Sequence, residues 1–108
     1  MMRLAGRFAI ITGASQGLGE EIANHFVAEG ASVLLCARSW PAVQAVEQRL
    51  SVMARNGQKV LARAADVSKR RDVDEIVVEA LDGLKMAYPK TTGKRRKELL
   101  AIRKELEG

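Results

Sequence analysis

Three short apolar runs, each followed by a stretch with helical spacing, constrain this chain more than any other feature. Residues 7–12, RFAIIT, are apolar, rich in β-branched side chains and end at Gly13, the pattern of a buried parallel strand. From Gly17 the spacing turns helical, with Leu18, Ile22, Phe26 and Val27 on one face and Gly30 placed as a C-terminal cap. Residues 31–37, ASVLLCA, form the second run. Ser39, Trp40 and Pro41 then open a helix in which Val43, Val46, Leu50 and Met53 recur at helical intervals, and Asn56 and Gly57 end it. Residues 59–67, KVLARAADV, read as a third strand, although alanine is a poor strand former. Ser68 is placed to cap a third helix, with Val73, Ile76, Val77, Ala80, Leu81 and Leu84 on one face and Asp72, Asp74, Glu75 and Glu79 on the other. Parallel neighbours need a long connection, so this alternation predicts an α/β fold with a parallel sheet, right-handed crossovers and flanking helices.

After Leu84 the alternation stops, and only Leu99, Ile102 and Leu106 mark a further short helix. The charge changes at the same place. Residues 1–84 carry 10 basic and 10 acidic side chains, whereas 85–108 carry 8 basic and 3 acidic, so the whole net charge of +5 lies in the tail. The expected organisation is therefore an α/β unit over 1–84 and a basic helical tail over 85–108. A length of 108 residues suits one domain, and 47% hydrophobic residues exclude a disordered chain. No apolar stretch approaches the roughly 20 residues that span a bilayer, so neither a membrane segment nor a signal peptide is expected. Cys36 is the sole cysteine and has no second thiol to pair with, which fits a reducing cytoplasm. In a buried strand it packs as a small hydrophobe. His25 has no cysteine or carboxylate at metal-ligand spacing and reads as a surface or packed histidine rather than a ligand.

Gly13, Gly17 and Gly19 stand between the first strand and the first helix in ITGASQGLGEEIANHF. Glycines there allow a tight turn and close approach of a pyrophosphate, and the helix start offers unpaired backbone N–H groups. The spacing is GxxxGxG. No Lys-Ser/Thr follows, which argues against a nucleoside-triphosphate loop. Spacing alone also suits a plain sharp turn.

TGASQGLG, then EGASVLLCARS, then AADVS, resembles the N-terminal part of the short-chain dehydrogenase/reductase family over about residues 5–80. The resemblance implies a partial Rossmann fold, three parallel strands in the order 3-2-1, and binding of NAD or NADP. By position, Thr12 and Gly13 would shape the turn, Ser15, Gln16, Gly17, Leu18 and Gly19 would surround the phosphates, and Asp66 with Val67 would border the adenine. An acid at the end of the second strand binds free ribose hydroxyls, while a 2′-phosphate needs a cation. Ala37 occupies the acid's place and Arg38 with Ser39 follows, so NADP is favoured over NAD.

The resemblance ends before the Asn-Ala-Gly, the serine and the Tyr-x-x-x-Lys pair expected of the family. The sole tyrosine, Tyr88, has Thr92 four residues on, and Lys90 is at the wrong spacing. Reduction of a carbonyl needs a positioned proton donor. The expectation is an NADP-binding segment of an oxidoreductase truncated before its catalytic residues; a non-enzymatic nucleotide-binding or interaction module and an inert chimaeric fragment are the alternatives. The tail is similar to the C-terminal end of family-2 polyphosphate kinases, without that family's phosphate-binding loop, and GKRRK at 93–97 suits weak polyanion contact or a solvated helix start. A first strand without its usual outer neighbour leaves an open edge, to be met by self-association or by the basic helix as cover.

Overall fold

The β2 strand, Ser32–Ala37, is the centre of the fold, and all six of its residues are buried. It pairs in parallel with β1, Phe8–Thr12, on one side and with β3, Val60–Ala64, on the other, so the sheet order is β1-β2-β3. A strand buried on both faces favours the unbroken run Val33-Leu34-Leu35-Cys36 over an alternating pattern. The computed structural model describes residues 2–55, 57–83 and 93–107, with backbone alone at 93–97, 99 and 107. Asn56, Leu84, Tyr88, Lys90 and Thr92, and the GKRRK side chains, lie outside the described residues.

Each face of the sheet has its own core. Helices α1, Gly17–Ala28, and α2, Trp40–Met53, cover one face, where Ala23, Val27, Val43, Val46 and Leu50 meet Ile11, Val33, Leu35 and Ala37. Helix α3, Arg70–Gly83, covers the other, setting Ile76 and Ala80 on Leu34, Cys36 and Leu61. A fourth helix, α4, Gly93–Glu107, lies on the outside of α3. Ile102 packs there on Val78 and Leu81, with Arg103 on Asp82 at 3.1 Å and Arg71 bridging Glu75 and Glu105. Gln58 ties the layers together by donating to the carbonyls of Val27 and Ala31, both at 2.7 Å, which satisfies part of the C-terminal end of α1.

Several local expectations are corrected. Leu18 is 77% exposed and does not join the apolar face of α1, because it sits in the first turn beyond the reach of the sheet. Helix α2 ends at Ala54, which is already extended, rather than at Asn56 and Gly57. β3 stops at Ala64 because the chain turns at once: Asp66 N donates to the Asp72 carboxylate and Lys69 N to the Asp66 carbonyl. Ser68 does not cap α3; its hydroxyl donates to Asp66 instead. Glu75 and Glu79 do not face solvent but turn inward to Arg63 on β3. Val78, outside the expected apolar set, is buried because α4 packs on it. The last helix is 15 residues long, and its Leu106 is 45% exposed. It covers α3 and leaves Phe8 and Ile10 of β1 44% and 43% exposed, so the edge is not capped by these residues of the tail.

Candidate functional site

The C-terminal ends of the three parallel strands open into one cleft of about 540 Å³. In open α/β sheets this is where ligands bind, because the chain leaves each strand there and helix N-termini point back toward the opening. The cleft is lined by Gly13, Ser15 and Gln16 after β1, by Cys36, Ala37, Arg38 and Ser39 at the end of β2, and by Ala65, Asp66, Val67 and Ser68 after β3. Seven of the residues read from sequence thus meet at one place: Gly13, Ser15, Gln16, Arg38, Ser39, Asp66 and Val67. Thr12, Gly17, Leu18 and Gly19 are not among its lining.

The turn after β1 explains that division. Gly13 and Gly17 have φ of +62° and +59°, with open space where a side chain would stand. Both are glycines for backbone reasons, and both leave room for something to approach. Gly19 is different: a Cβ there would fall 2.1 Å from the Gly13 carbonyl oxygen. Its role is to let α1 close on the turn. Gln16, extended at φ −163°, precedes the helix and supplies no side-chain cap, so the first N–H groups of α1 have no side-chain acceptor. An uncapped N-terminus of a twelve-residue helix carries partial positive charge and free donors.

The β2 end provides the fixed cation. Ala37 is buried in the register position opposite Ala64, and Arg38 beyond it is exposed. Among the described residues, Arg38 makes no hydrogen bond or ion pair. Ser39 accepts from Ala42 N at 3.4 Å and caps α2, which leaves its hydroxyl proton to donate into the cleft. Trp40, the first residue of α2, is 43% exposed. Across the opening, the hydrogen bond from the Ser68 hydroxyl, then that from Ser68 N, holds the Asp66 carboxyl below the usual carboxylate range, with Lys69 and Arg38 adding to the effect. Asp66 therefore stays ionised and faces the cleft as an acceptor.

Cys36, Ala65 and Ser68 line the cleft without having been picked out as site residues. Cys36 alternates with Leu34 toward α3, and nothing in a continuous apolar run reports that its end forms a cleft floor. Burial pushes its thiol up to about 11, with the nearby Glu79 carboxylate acting in the same direction. Among the described residues no group of three or more potential metal ligands occurs, and His25 lies at the surface, 3.8 Å from Glu21.

A parallel sheet with a glycine turn, an uncapped helix and a cation at the adjacent strand end defines the class: a Rossmann-type α/β unit with its ligand cleft at the strand ends. A family model for short chain dehydrogenase matches residues 7–86, and the chain belongs to that family. It is 38% identical over 82 residues to glucose 1-dehydrogenase of Gluconobacter oxydans, a match that covers 76% of this chain and 30% of that one. The structure is similar to a 7 alpha-hydroxysteroid dehydrogenase complexed with NADH and 7-oxo glycochenodeoxycholic acid. There the TM-score is 0.71 and the identity 31%, over 78% of this chain and 32% of that one. It is also similar to the NADP active-site complex of RhlG from Pseudomonas aeruginosa, with a TM-score of 0.63 and 35% identity over 77% of this chain and 32% of that one. The chain spans about a third of the length of each of these three relatives.

Proposed function

We propose that the chain binds NADP in the cleft at the ends of β1, β2 and β3, as the dinucleotide-binding segment of a short-chain oxidoreductase. The observation that carries the reading is Arg38, exposed at the cleft rim, without an ion-pair partner among the described residues, and beside an alanine where an acid would select NAD. A guanidinium fits a phosphate monoester through paired N–H donors. Gly13 and Gly17 leave the space beside the turn open, and the uncapped N–H groups of α1 suit a pyrophosphate. Asp66 and Val67 border the side where an adenine would lie, with Asp66 as acceptor. Bound nicotinamide dinucleotide supplies hydride chemistry; these residues supply grip and orientation.

The same reading places the carbonyl-reducing step outside these 108 residues, since the sequence holds no Tyr-x-x-x-Lys pair. The purified chain is expected to bind NADP and to show no NADPH oxidation with a panel of ketones; turnover that Gly13→Val abolishes would overturn the second part. Calorimetric titration with NADP and NAD tests the first. Tighter binding of NADP is expected, and equal affinities would overturn the assignment. No helix among the described residues is long and apolar enough to cross a membrane. A lone buried thiol supports a cytoplasmic setting. The open edge of β1 makes a second copy of the chain the other partner this fold supports.

A further inference from the structure

Among the described residues, β1 pairs on one side only, with β2. Bonds in a parallel ladder alternate residue by residue, and Ser32 N donates to the Arg7 carbonyl at 2.9 Å. Ala9, Ile11 and the Arg7 carbonyl therefore face β2, the Arg7 N–H bonding the Leu4 carbonyl at 2.9 Å instead, while Phe8, Ile10 and Thr12 turn both N–H and C=O to the open edge. Phe8 and Ile10 are half-exposed on the face that α3 covers only over β2 and β3.

We propose that a second copy of this chain occupies that edge, antiparallel about Ile10, and that Arg7 of each copy completes the dinucleotide cleft of the other. The inference rests on the dinucleotide reading above and adds a partner and a cation to it. Identical edges that meet edge to edge are related by a two-fold axis and run antiparallel. Centred on Ile10, the register sets Ile10 against Ile10 and Phe8 against Thr12, so each outward residue meets an outward residue. Three such pairs exchange two bonds each, about six in all. A shift of one residue would set them against Ala9 and Ile11, already bonded to β2, and a shift of two would lose one pair. Residues 8–12 carry no charge, so no like charges meet along the seam.

The same register sets Arg7 of the second copy opposite Gly13. Arg7 stands one residue before β1, and extending the strand alternation puts it in phase with Ala9 and Ile11, on the α1 side of the sheet, where the glycine turn and the uncapped helix start are. It is exposed and has no side-chain hydrogen bond or ion pair among the described residues. A guanidinium brought there faces a pyrophosphate on the side away from Arg38. A five-residue seam is small for a stable interface, so the free chain associates weakly, and a dinucleotide that gains a contact in the dimer tightens it by linkage.

Sedimentation velocity of the 108-residue chain over a concentration series, with and without NADP, tests this. A monomer–dimer equilibrium is expected, shifted by saturating NADP to roughly a hundredfold lower protein concentration, because each dimer gains two charge-assisted contacts of about tenfold each. Ile10→Pro removes an outward N–H while keeping the β2 ladder, and is expected to stay monomeric and still bind NADP. Phe8→Lys, which charges the edge, is expected to do the same and serves if the proline variant fails to fold. Arg7→Ala is expected to dimerise like the wild type and to lose the NADP-induced shift. A wild type that binds NADP and stays monomeric throughout, forms open-ended aggregates, or remains dimeric in a folded edge variant overturns the seam and leaves the dinucleotide reading intact. An Arg7→Ala chain that keeps the shift overturns the shared cleft. A dimer that binds no NADP overturns the dinucleotide reading, and the role of Arg7 with it.

Discussion

Gly19 and Gly13 are in backbone contact across the turn that opens the cleft: a Cβ on Gly19 would sit 2.1 Å from the Gly13 carbonyl oxygen and 2.7 Å from its carbon. The obstacle is backbone, which cannot rotate away as a side chain would. Gly19→Ala is therefore expected to push α1 off the turn, costing about 1–3 kcal/mol in urea denaturation and weakening NADP binding as well. Gly17→Ala meets open space and is opposed only by its φ of +59°, a cost of about 1–2 kcal/mol. A Gly19→Ala chain as stable as the wild type would show that the turn relaxes freely.

Arg38 and Ala37 divide the selection between the two cofactors. The glycine turn meets only the pyrophosphate that both share, so discrimination falls to the β2 end. Arg38→Ala is expected to lower NADP affinity by about ten- to a hundredfold while leaving NAD affinity nearly unchanged, as suits the loss of one charge-assisted contact. Ala37→Asp is expected to reverse the preference by repelling the 2′-phosphate and accepting from a free ribose hydroxyl. Calorimetry of both variants reads this directly. A parallel loss of affinity for both cofactors in Arg38→Ala would place the arginine on the shared part of the ligand.

Arg63 anchors the opposite face. Its guanidinium bonds Glu79 at 2.7 Å and Glu75 at 2.8 Å, and its Nε is buried without a partner. Burial works against its charge, but the hydrogen bond to Glu79 and the fields of Glu79, Glu75 and Asp72 outweigh it and hold its pKa above the ordinary arginine value. Breaking one side of such a group costs more than replacing the whole of it. Glu79→Gln is expected to lose about 1–3 kcal/mol, and the Arg63→Met, Glu79→Met pair less than the sum of its single changes. Additive losses in a double-mutant cycle would mean that the two side chains act independently.

Cys36 is expected to resist alkylation in the folded chain, because the thiolate is the nucleophile and burial has pushed the thiol up to about 11. Between about 9 and 11 the unfolded chain loses this proton and the folded chain keeps it. The resulting stability is full below about 9 and is lost as pH rises through 11. Cys36→Ala should remove that part of the alkaline decline in thermal unfolding, leaving a flatter profile. Rapid labelling of the native protein at pH 8 would show instead that the cleft floor opens.

The order and type of the elements were legible because each strand is a run of apolar residues too short for a helix and each helix has a core-facing repeat. Residues 7–12, 31–37 and 59–67 lie within a few residues of the observed strands, and the glycine turn was recognisable from its place between a strand and a helix. The sequence also determined that Arg38 follows Ala37 at a strand end, since that needs only the boundary of one apolar run.

Tertiary structure decided what depends on distances across the fold. Gly13, Gly17 and Gly19 look alike in sequence, yet two are set by positive φ and the third by a backbone contact that exists only once α1 folds onto the turn. Leu18 and Ile22 share a helical repeat, but only the second reaches the core. Glu75 and Glu79 read only as part of a polar face until β3 brings Arg63 beneath them, and Val78 is buried because α4 lies on α3. Local periodicity fixes which face a residue is on; what stands opposite that face is set by chain that lies far away in sequence, and burial and ion pairing follow from that.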